Sequence, residues 1–298
     1  NTKTWKNWFF GYKMPQEAIL RPFFIEKRAA DCDKAIITIA RNIGEALDRD
    51  YVEGEYLLSP QERDMISAVC DIFHKAGKKV IIVVNTGSPI ELGRECIEKA
   101  DAILLAWQPG QEGGRAVARV LNGKVNPSGK LPVTWASDYY DIPSSKNFPI
   151  HYVFNWDDVK PFGRESLKQT RNLGYTIYEE DIWVGYRYFD TFGKAVDFPF
   201  GFGLSYTSFE WSDARLEKKG RDAVKISICV KNVGDRPGKD VVQIYSTAPR
   251  IEGFETPAHE LRAYGKTPLL QPGESVKMEW TVSYEDLASF HEDNMSWI

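Results

Sequence analysis

One carboxylate stands out as a group that could do chemistry. Glu45 lies in Ala35-Ile-Ile-Thr-Ile-Ala-Arg-Asn-Ile-Gly-Glu-Ala-Leu-Asp-Arg49. Ile36 to Ile39 are β-formers and read as a buried strand, which ends in a polar loop holding Glu45 beside Gly44. In open α/β sheets, ligands and reacting groups gather just past the carboxyl ends of strands. A glycine there allows a tight backbone path that pushes the next side chain outward. A carboxylate so placed could lend and recover a proton. Most loop glutamates are simply solvated, so the rest of the chain must decide.

Other chemistries find little to stand on. The formal net charge of -4 leaves no basic footprint for nucleic acid. The apolar runs Val80 to Val84 and Ala102 to Trp107 are too short to span a bilayer. The four cysteines, Cys32, Cys70, Cys96 and Cys229, lack metal or CxxC spacing; three sit among apolar neighbours, and buried thiols are expected. The four histidines are scattered with no HExxH, so neither a metal nor an organic cofactor is indicated. Gln108-Pro-Gly-Gln-Glu-Gly-Gly114 could in principle cradle a phosphate at a helix start. It lacks both the Gly-Lys-Ser/Thr ending and the dinucleotide spacing. Its glycines are expected to allow close packing of helix on strand, with Gln111 or Glu112 fixing the loop. A nucleotide-binding α/β protein is therefore disfavoured. Nine Trp, 14 Tyr and 16 Phe suit core packing and sugar binding alike.

The elements that must position Glu45 alternate between strand and helix. A helical stretch falls within Pro15 to Ala30, and the first strand over Ile36 to Ala40. Ser59-Pro-Gln-Glu62 spells a helix start, with Ser as N-cap, Pro at the first position and Glu at the third. That helix runs to about His74 with Met65, Ile66, Val69, Ile72 and Phe73 on one face. Lys79 to Val84 is a second strand, apolar throughout as a doubly covered parallel strand should be. A short helix from Ile90 to Lys99, a third strand from Ala102 to Trp107 and a helix from Gln111 to Leu121 follow. The pattern is that of an α/β fold with a mostly parallel sheet sandwiched by helices. Residues 136 to 208 read as a long irregular connection. From Phe209 the texture turns to period-two strands, including Val224 to Val230, Val241 to Tyr245 and Ser275 to Val282, as in a small antiparallel β-sandwich. Residues 1 to 208 and 209 to 298 are the expected domains.

Six segments together resemble the carboxyl-side half of glycoside hydrolase family 3, the β-glucosidase family. They are Arg41-Asn-Ile-Gly-Glu-Ala-Leu-Asp-Arg49, Asn85-Thr-Gly-Ser-Pro-Ile-Glu91, Ala106-Trp-Gln-Pro-Gly-Gln-Glu-Gly-Gly114, Gly123-Lys-Val-Asn-Pro-Ser-Gly-Lys-Leu-Pro132, Tyr178-Glu-Glu-Asp-Ile-Trp-Val-Gly-Tyr-Arg-Tyr-Phe-Asp190 and Phe198-Pro-Phe-Gly-Phe-Gly-Leu-Ser-Tyr206. The likeness covers about residues 34 to 298. It implies an α/β-sandwich domain followed by a fibronectin type III-like β-sandwich, here truncated. It further implies a retaining hydrolase, in which an Asp nucleophile on a separate TIM-like barrel works with a Glu from the α/β domain. That Glu lies in a Gly-Glu-Gly-x-Asp-Arg motif, which Glu45 matches; Ala46 replaces the second glycine. Asp48 and Arg49 match the following pair, with an ion pair that fixes the loop as their expected role and a solvated pair as the equal alternative. No segment reads as eight βα units, and no Ser-Asp-Trp nucleophile motif is found. The chain is thus expected to be one piece of an enzyme whose barrel lies elsewhere, and inactive alone.

The resemblance implies a β-glucoside or short oligosaccharide as substrate and the barrel domain of the same enzyme as partner. Hydrolysis of terminal, non-reducing β-D-glucosyl residues is the expected activity, with Glu45 as general acid/base. A β-xylosidase is the nearest enzymatic alternative, and a non-catalytic carbohydrate-binding or scaffolding module the other. Tyr186-Arg-Tyr-Phe189 is expected to bridge the domains with Arg187 buried against carbonyls or a carboxylate. An open sandwich edge would favour a homo-oligomer. Residues 43 to 56, with few core anchors, are expected to be the most mobile part of the α/β domain until the barrel docks.

Overall fold

The structure, a computed structural model, describes residues 17–41, 49, 51–146, 152–154, 167–169 and 179–298. By contacts it divides into two compact units, Asn1–Val117 with Ala136–Glu179, and Ala118–Trp135 with Glu180–Ile298.

The first unit is α/β. Helix α1 (Pro22–Asp31) precedes strand β1 (Lys34–Ala40), helix α2 (Pro60–Lys75), strand β2 (Lys79–Asn85), helix α3 (Arg94–Lys99) and strand β3 (Ala102–Leu105); α4 (Gly113–Leu121) follows, and the boundary between the units falls within it, after Val117. The strands form a parallel sheet in the order β1-β2-β3, with Lys34 opposite Lys79 and Ile81 opposite Ala102. Ser59 makes the expected helix start: its hydroxyl accepts from Glu62 N, and the Glu62 carboxylate accepts from Ser59 N. Ile66, Val69, Cys70 and Phe73 form the buried face of α2, which packs on β1 and β2.

β2 is central, and Val80, Ile82, Val83 and Val84 are all buried. The run Ile36 to Ile39, expected to be buried throughout, instead alternates. Ile37 and Ile39 are buried, whereas Ile36 and Thr38 are exposed. β1 is an edge strand, and among the described residues only one of its faces is covered. Asp101 stitches β3 to β2: its carboxylate accepts from Val80 N at 2.8 Å and from Lys79 Nζ at 2.7 Å, with His74 Nε2 at 2.8 Å.

The second unit is mostly antiparallel β. Strands β4 (Phe209–Lys219), β5 (Ala223–Asn232) and β8 (Ser275–Ser283) form a sheet with β5 in the middle; β6 (Val241–Ser246) and β7 (Glu260–Lys266) form a two-stranded sheet. Val230, Val242 and Leu270 are its core, with Phe209, Ile228, Ile244, Val276, Met278 and Trp280 packed around them. Asn232 is fully buried and satisfied. Its amide donates to the carbonyls of Arg236 and Leu270, and its oxygen accepts from Thr207 Oγ1 and Gly234 N. A buried amide this well supplied fixes the turn from Asn232 to Gly238, because leaving it unpaired is costly.

Two glycine- and proline-rich segments of the sequence meet in this unit. Asn126 Oδ1 accepts from Tyr206 N and Ser205 Oγ, and its amide donates to Pro237 O. Lys130 Nζ donates to Gly203 O at 2.6 Å and lies 3.4 Å from Asp240. Leu131 N donates to Phe202 O, and Gly201 N to Leu131 O. Gly203 has no space for a Cβ, because the Gly129 carbonyl fills it. Helix α5 (Tyr186–Thr191) places Tyr186 flat on Phe200 and His259, with its hydroxyl accepting from Leu261 N. The Arg187 side chain, expected to be buried, is 41% exposed, with its guanidinium 3.7 Å from the carboxylate of Glu260.

Candidate active site at the carboxyl edge of the parallel sheet

The carboxyl ends of the three parallel strands bring together Arg41 after β1, Thr86 to Ser88 after β2, and Trp107 to Gly110 after β3. Arg41 N donates to Asn85 O at 2.9 Å, so the chain stays in register one residue past β1. Thr86 is fully buried, and its hydroxyl donates to Ser88 O at 2.8 Å. Gly87 lies against Gln108, where a Cβ would come within 2.9 Å of the Gln108 amide carbon. Trp107 has φ 51°, a left-handed backbone that is costly for a bulky residue. The glycines that follow pack locally rather than helix on strand: Gly113 abuts the Pro109 ring, and Gly114 has open space.

Of the residues expected to carry chemistry, Glu45 and Asp48 lie outside the described residues, as do the other residues of 42–48 and Asp50. Arg49 is described and is partly buried. Its Nη2 approaches Thr86 Oγ1 at 3.5 Å, and its buried Nε has no hydrogen-bond partner among the described residues. Burial, then the nearby Arg41 charge, lowers its pKa, with Glu55 opposing. Arg49 thus reaches the residue that follows β2.

The segment from Tyr51 to Tyr56 is better anchored than its polarity predicts. Val52 is exposed, but Tyr56 is buried and Tyr51 partly so. Tyr51 stacks on Tyr139 with centroids 4.9 Å apart, and meets Tyr140 and Tyr56 edge-on or tilted. Tyr56 also meets Tyr139 edge-on at 5.0 Å. The Tyr51 hydroxyl lies 3.4 Å from Glu91 Oε2, and Glu91 N donates to Tyr56 O. Burial first, and the Glu91 charge second, push both phenols up. Sequence reasoning missed this quartet, because Tyr139 and Tyr140 fall in the stretch read as irregular. The adjacent Tyr-Tyr pair was the signal available there.

Arg41 and Glu62 form a buried pair at 2.6 Å and 2.7 Å, one nitrogen to each carboxylate oxygen. Burial pushes the Glu62 carboxyl up, but the Arg41 hydrogen bonds and the Ser59 N–H outweigh it and hold the pKa below its usual value. Glu62 is therefore an anion committed to structure and unsuited to donating a proton. Among the described residues, no group of three or more His, Cys, Asp or Glu could hold a metal ion, and no helix is long and apolar enough to cross a membrane.

The parallel α/β sheet followed by antiparallel sheets agrees with two family matches along the chain. Residues 24–206 match the glycosyl hydrolase family 3 C-terminal domain, and residues 240–298 the fibronectin type III-like domain. The chain belongs to glycosyl hydrolase family 3. It is 38% identical over 282 residues to a β-glucosidase of Ruminococcus albus, covering 94% of this chain and 27% of that protein. It is 37% identical to β-glucosidase A of Butyrivibrio fibrisolvens, covering 94% of this chain and 35% of that protein. The structure of β-glucosidase 3B from Thermotoga neapolitana in complex with α-D-glucose superposes with a TM-score of 0.83 at 43% identity, covering 94% of this chain and 36% of that one. The chain thus spans 27% to 36% of the length of these proteins.

Proposed function

We propose that this chain is the acid/base half of a retaining β-glucosidase that hydrolyses terminal, non-reducing β-D-glucosyl residues. Glu45 protonates the leaving glycosidic oxygen and then activates water, while Asp48 and Arg49 fix its loop. The nucleophile comes from a barrel domain of the same enzyme, so this chain alone turns over no substrate. The observation that carries the reading is the likeness along 94% of the chain to proteins named as β-glucosidases, one of them solved with glucose bound. Arg49 supports it by reaching Thr86 at the carboxyl edge of the sheet. The division into an α/β domain over 1–208 and a fibronectin type III-like domain over 209–298 is part of the same proposal. It is supported by a family match that ends at residue 206.

The test is Glu45→Ala in the complete enzyme. We expect kcat/KM on cellobiose to fall about 10²–10⁴-fold, the general acid–base share of such a rate. Glycosylation by aryl glucosides with good leaving groups should fall far less, because they need little protonation. Added azide should restore part of the deglycosylation rate. Unaltered kinetics on cellobiose would remove Glu45 from this role.

A further inference from the structure

Arg41 uses every donor it has. A guanidinium carries five N–H groups in a fixed planar fork. Nε donates to Glu55 O at 2.8 Å. One Nη1 bond goes to Ala40 O at 2.8 Å and the other to Glu62 Oε1 at 2.6 Å. Nη2 donates to Leu57 O at 3.2 Å and to Glu62 Oε2 at 2.7 Å. The residue is 4% exposed. Glu62 is held in turn by the backbone N–H of Ser59, at the start of α2.

The bonds have a direction as a set. Arg41 is the last described residue before the segment that carries Glu45, and Glu55 and Leu57 follow that segment. One side chain therefore ties the exit of the segment to its entry. Entry and exit are both referred to β2, through Arg41 N on Asn85 O, and to α2, through Glu62. Glu45 is four residues from this clasp in the chain. Proton transfer tolerates little misplacement, and an error of about 1 Å costs on the order of 10²-fold. We propose that Arg41, anchored by Glu62, is a positioning residue for the acid/base glutamate. The inference rests on the reading of Glu45 given above.

A lysine cannot replace the fork, because its three donors do not lie in one plane. Arg41→Lys in the complete enzyme should lower kcat/KM on cellobiose about 10–100-fold, within the range a misplaced group costs. kcat/KM on a dinitrophenyl β-D-glucoside, which reports the glycosylation step alone, should change by less than about threefold, since that leaving group needs no proton. Glu62→Gln presents an amide where Arg41 needs a second acceptor, and should show the same selectivity more weakly. It carries the comparison if Arg41→Lys does not fold. Equal losses on both substrates, tracking a fall in Tm, would overturn the proposal and leave Arg41 a stabilising residue only. Glu45→Ala, measured alongside, separates the two claims. If Glu45→Ala is selective for poor leaving groups and the Arg41 and Glu62 variants are not, only the positioning role fails. If Glu45→Ala is not selective either, the acid/base reading falls and the inference with it.

Discussion

At the scale of single residues, the structure separates carboxylates by what surrounds them. Asp101 receives Lys79 and the Val80 N–H, and these, with His74, hold its carboxyl well below the ordinary range although partial burial opposes them. A depressed folded pKa means stability that is present above the unfolded value, near 3.9, and lost as pH falls through the folded one. The α/β unit should therefore lose stability steadily as pH drops below about 4. Asp101→Asn, which keeps an acceptor for Val80 but no charge, should flatten that decline in denaturant titrations between pH 2 and 5, the span expected for such a shift. An unchanged slope would show that other carboxylates carry it. Glu62 was legible in the sequence as a capping residue at the third helical position, and it is one. Its second bond, to Arg41, joins residues 21 apart in the chain, and no local pattern announces a contact of that range. Arg41 stood in the motif beside Glu45, but nothing in the motif indicated that its five donors would all be used. The cysteines divide similarly: Cys70 and Cys96 are buried, as expected, but Cys229 is half-buried and Cys32 just after α1 is exposed.

At the scale of elements, α2 was the most legible. Ser59, Pro60 and Glu62 define its start, and both reciprocal bonds of the capping box are present. Ser59→Ala removes the acceptor for Glu62 N and should cost about 1 kcal/mol of stability, measurable as a lowered urea midpoint with unchanged slope. No change in midpoint would mean the cap is redundant with the Arg41 clasp. The strands were found by their apolar runs, but covering was not. Ile36, Ile37 and Ile39 are chemically alike, so the sequence does not distinguish an edge strand covered on one face among the described residues from a central strand such as β2. The tyrosine quartet was illegible for a related reason. Tyr51 and Tyr56 flank a polar loop, Tyr139 and Tyr140 sit on a 3₁₀ turn, and only folding makes them neighbours.

At the scale of the whole molecule, the switch from alternating strand and helix to period-two strands correctly marked an α/β part and an antiparallel β part. Chain order and compact units do not coincide, however. Residues Ala118–Trp135 cluster with the β unit although they follow directly from the α/β pattern. Asn126 shows why: it serves Ser205, Tyr206 and Pro237 at once. Two of the segments that carried the family resemblance, Gly123 to Pro132 and Phe198 to Tyr206, bond to each other. Their glycines and prolines read as loop punctuation, and that composition does not encode which loops will pair. Asn126→Ala should lower the stability of the β unit by about 1 kcal/mol, the net worth of a typical hydrogen bond or somewhat more. Thermal unfolding followed by tryptophan fluorescence would register it. An unchanged midpoint would show that Lys130 and Leu131 hold the pairing without it.

The clasp at Arg41 also bears on how the family can diversify. Among the described residues, the two ends of the stretch between Arg41 and Glu55 are joined by the Arg41 side chain on the carbonyls of Glu55 and Leu57. Insertions or deletions inside the stretch leave the clasp's own atoms untouched. For a flexible loop, each doubling of length costs only about 0.6 kcal/mol in closure entropy. Glu45 lies near the entry end, so length can vary downstream of it while its own separation from Arg41 stays at four residues. Relatives should therefore differ in the spacing between the glutamate at the Glu45 position and the serine that starts α2 far more than in the spacing between that glutamate and the arginine before it.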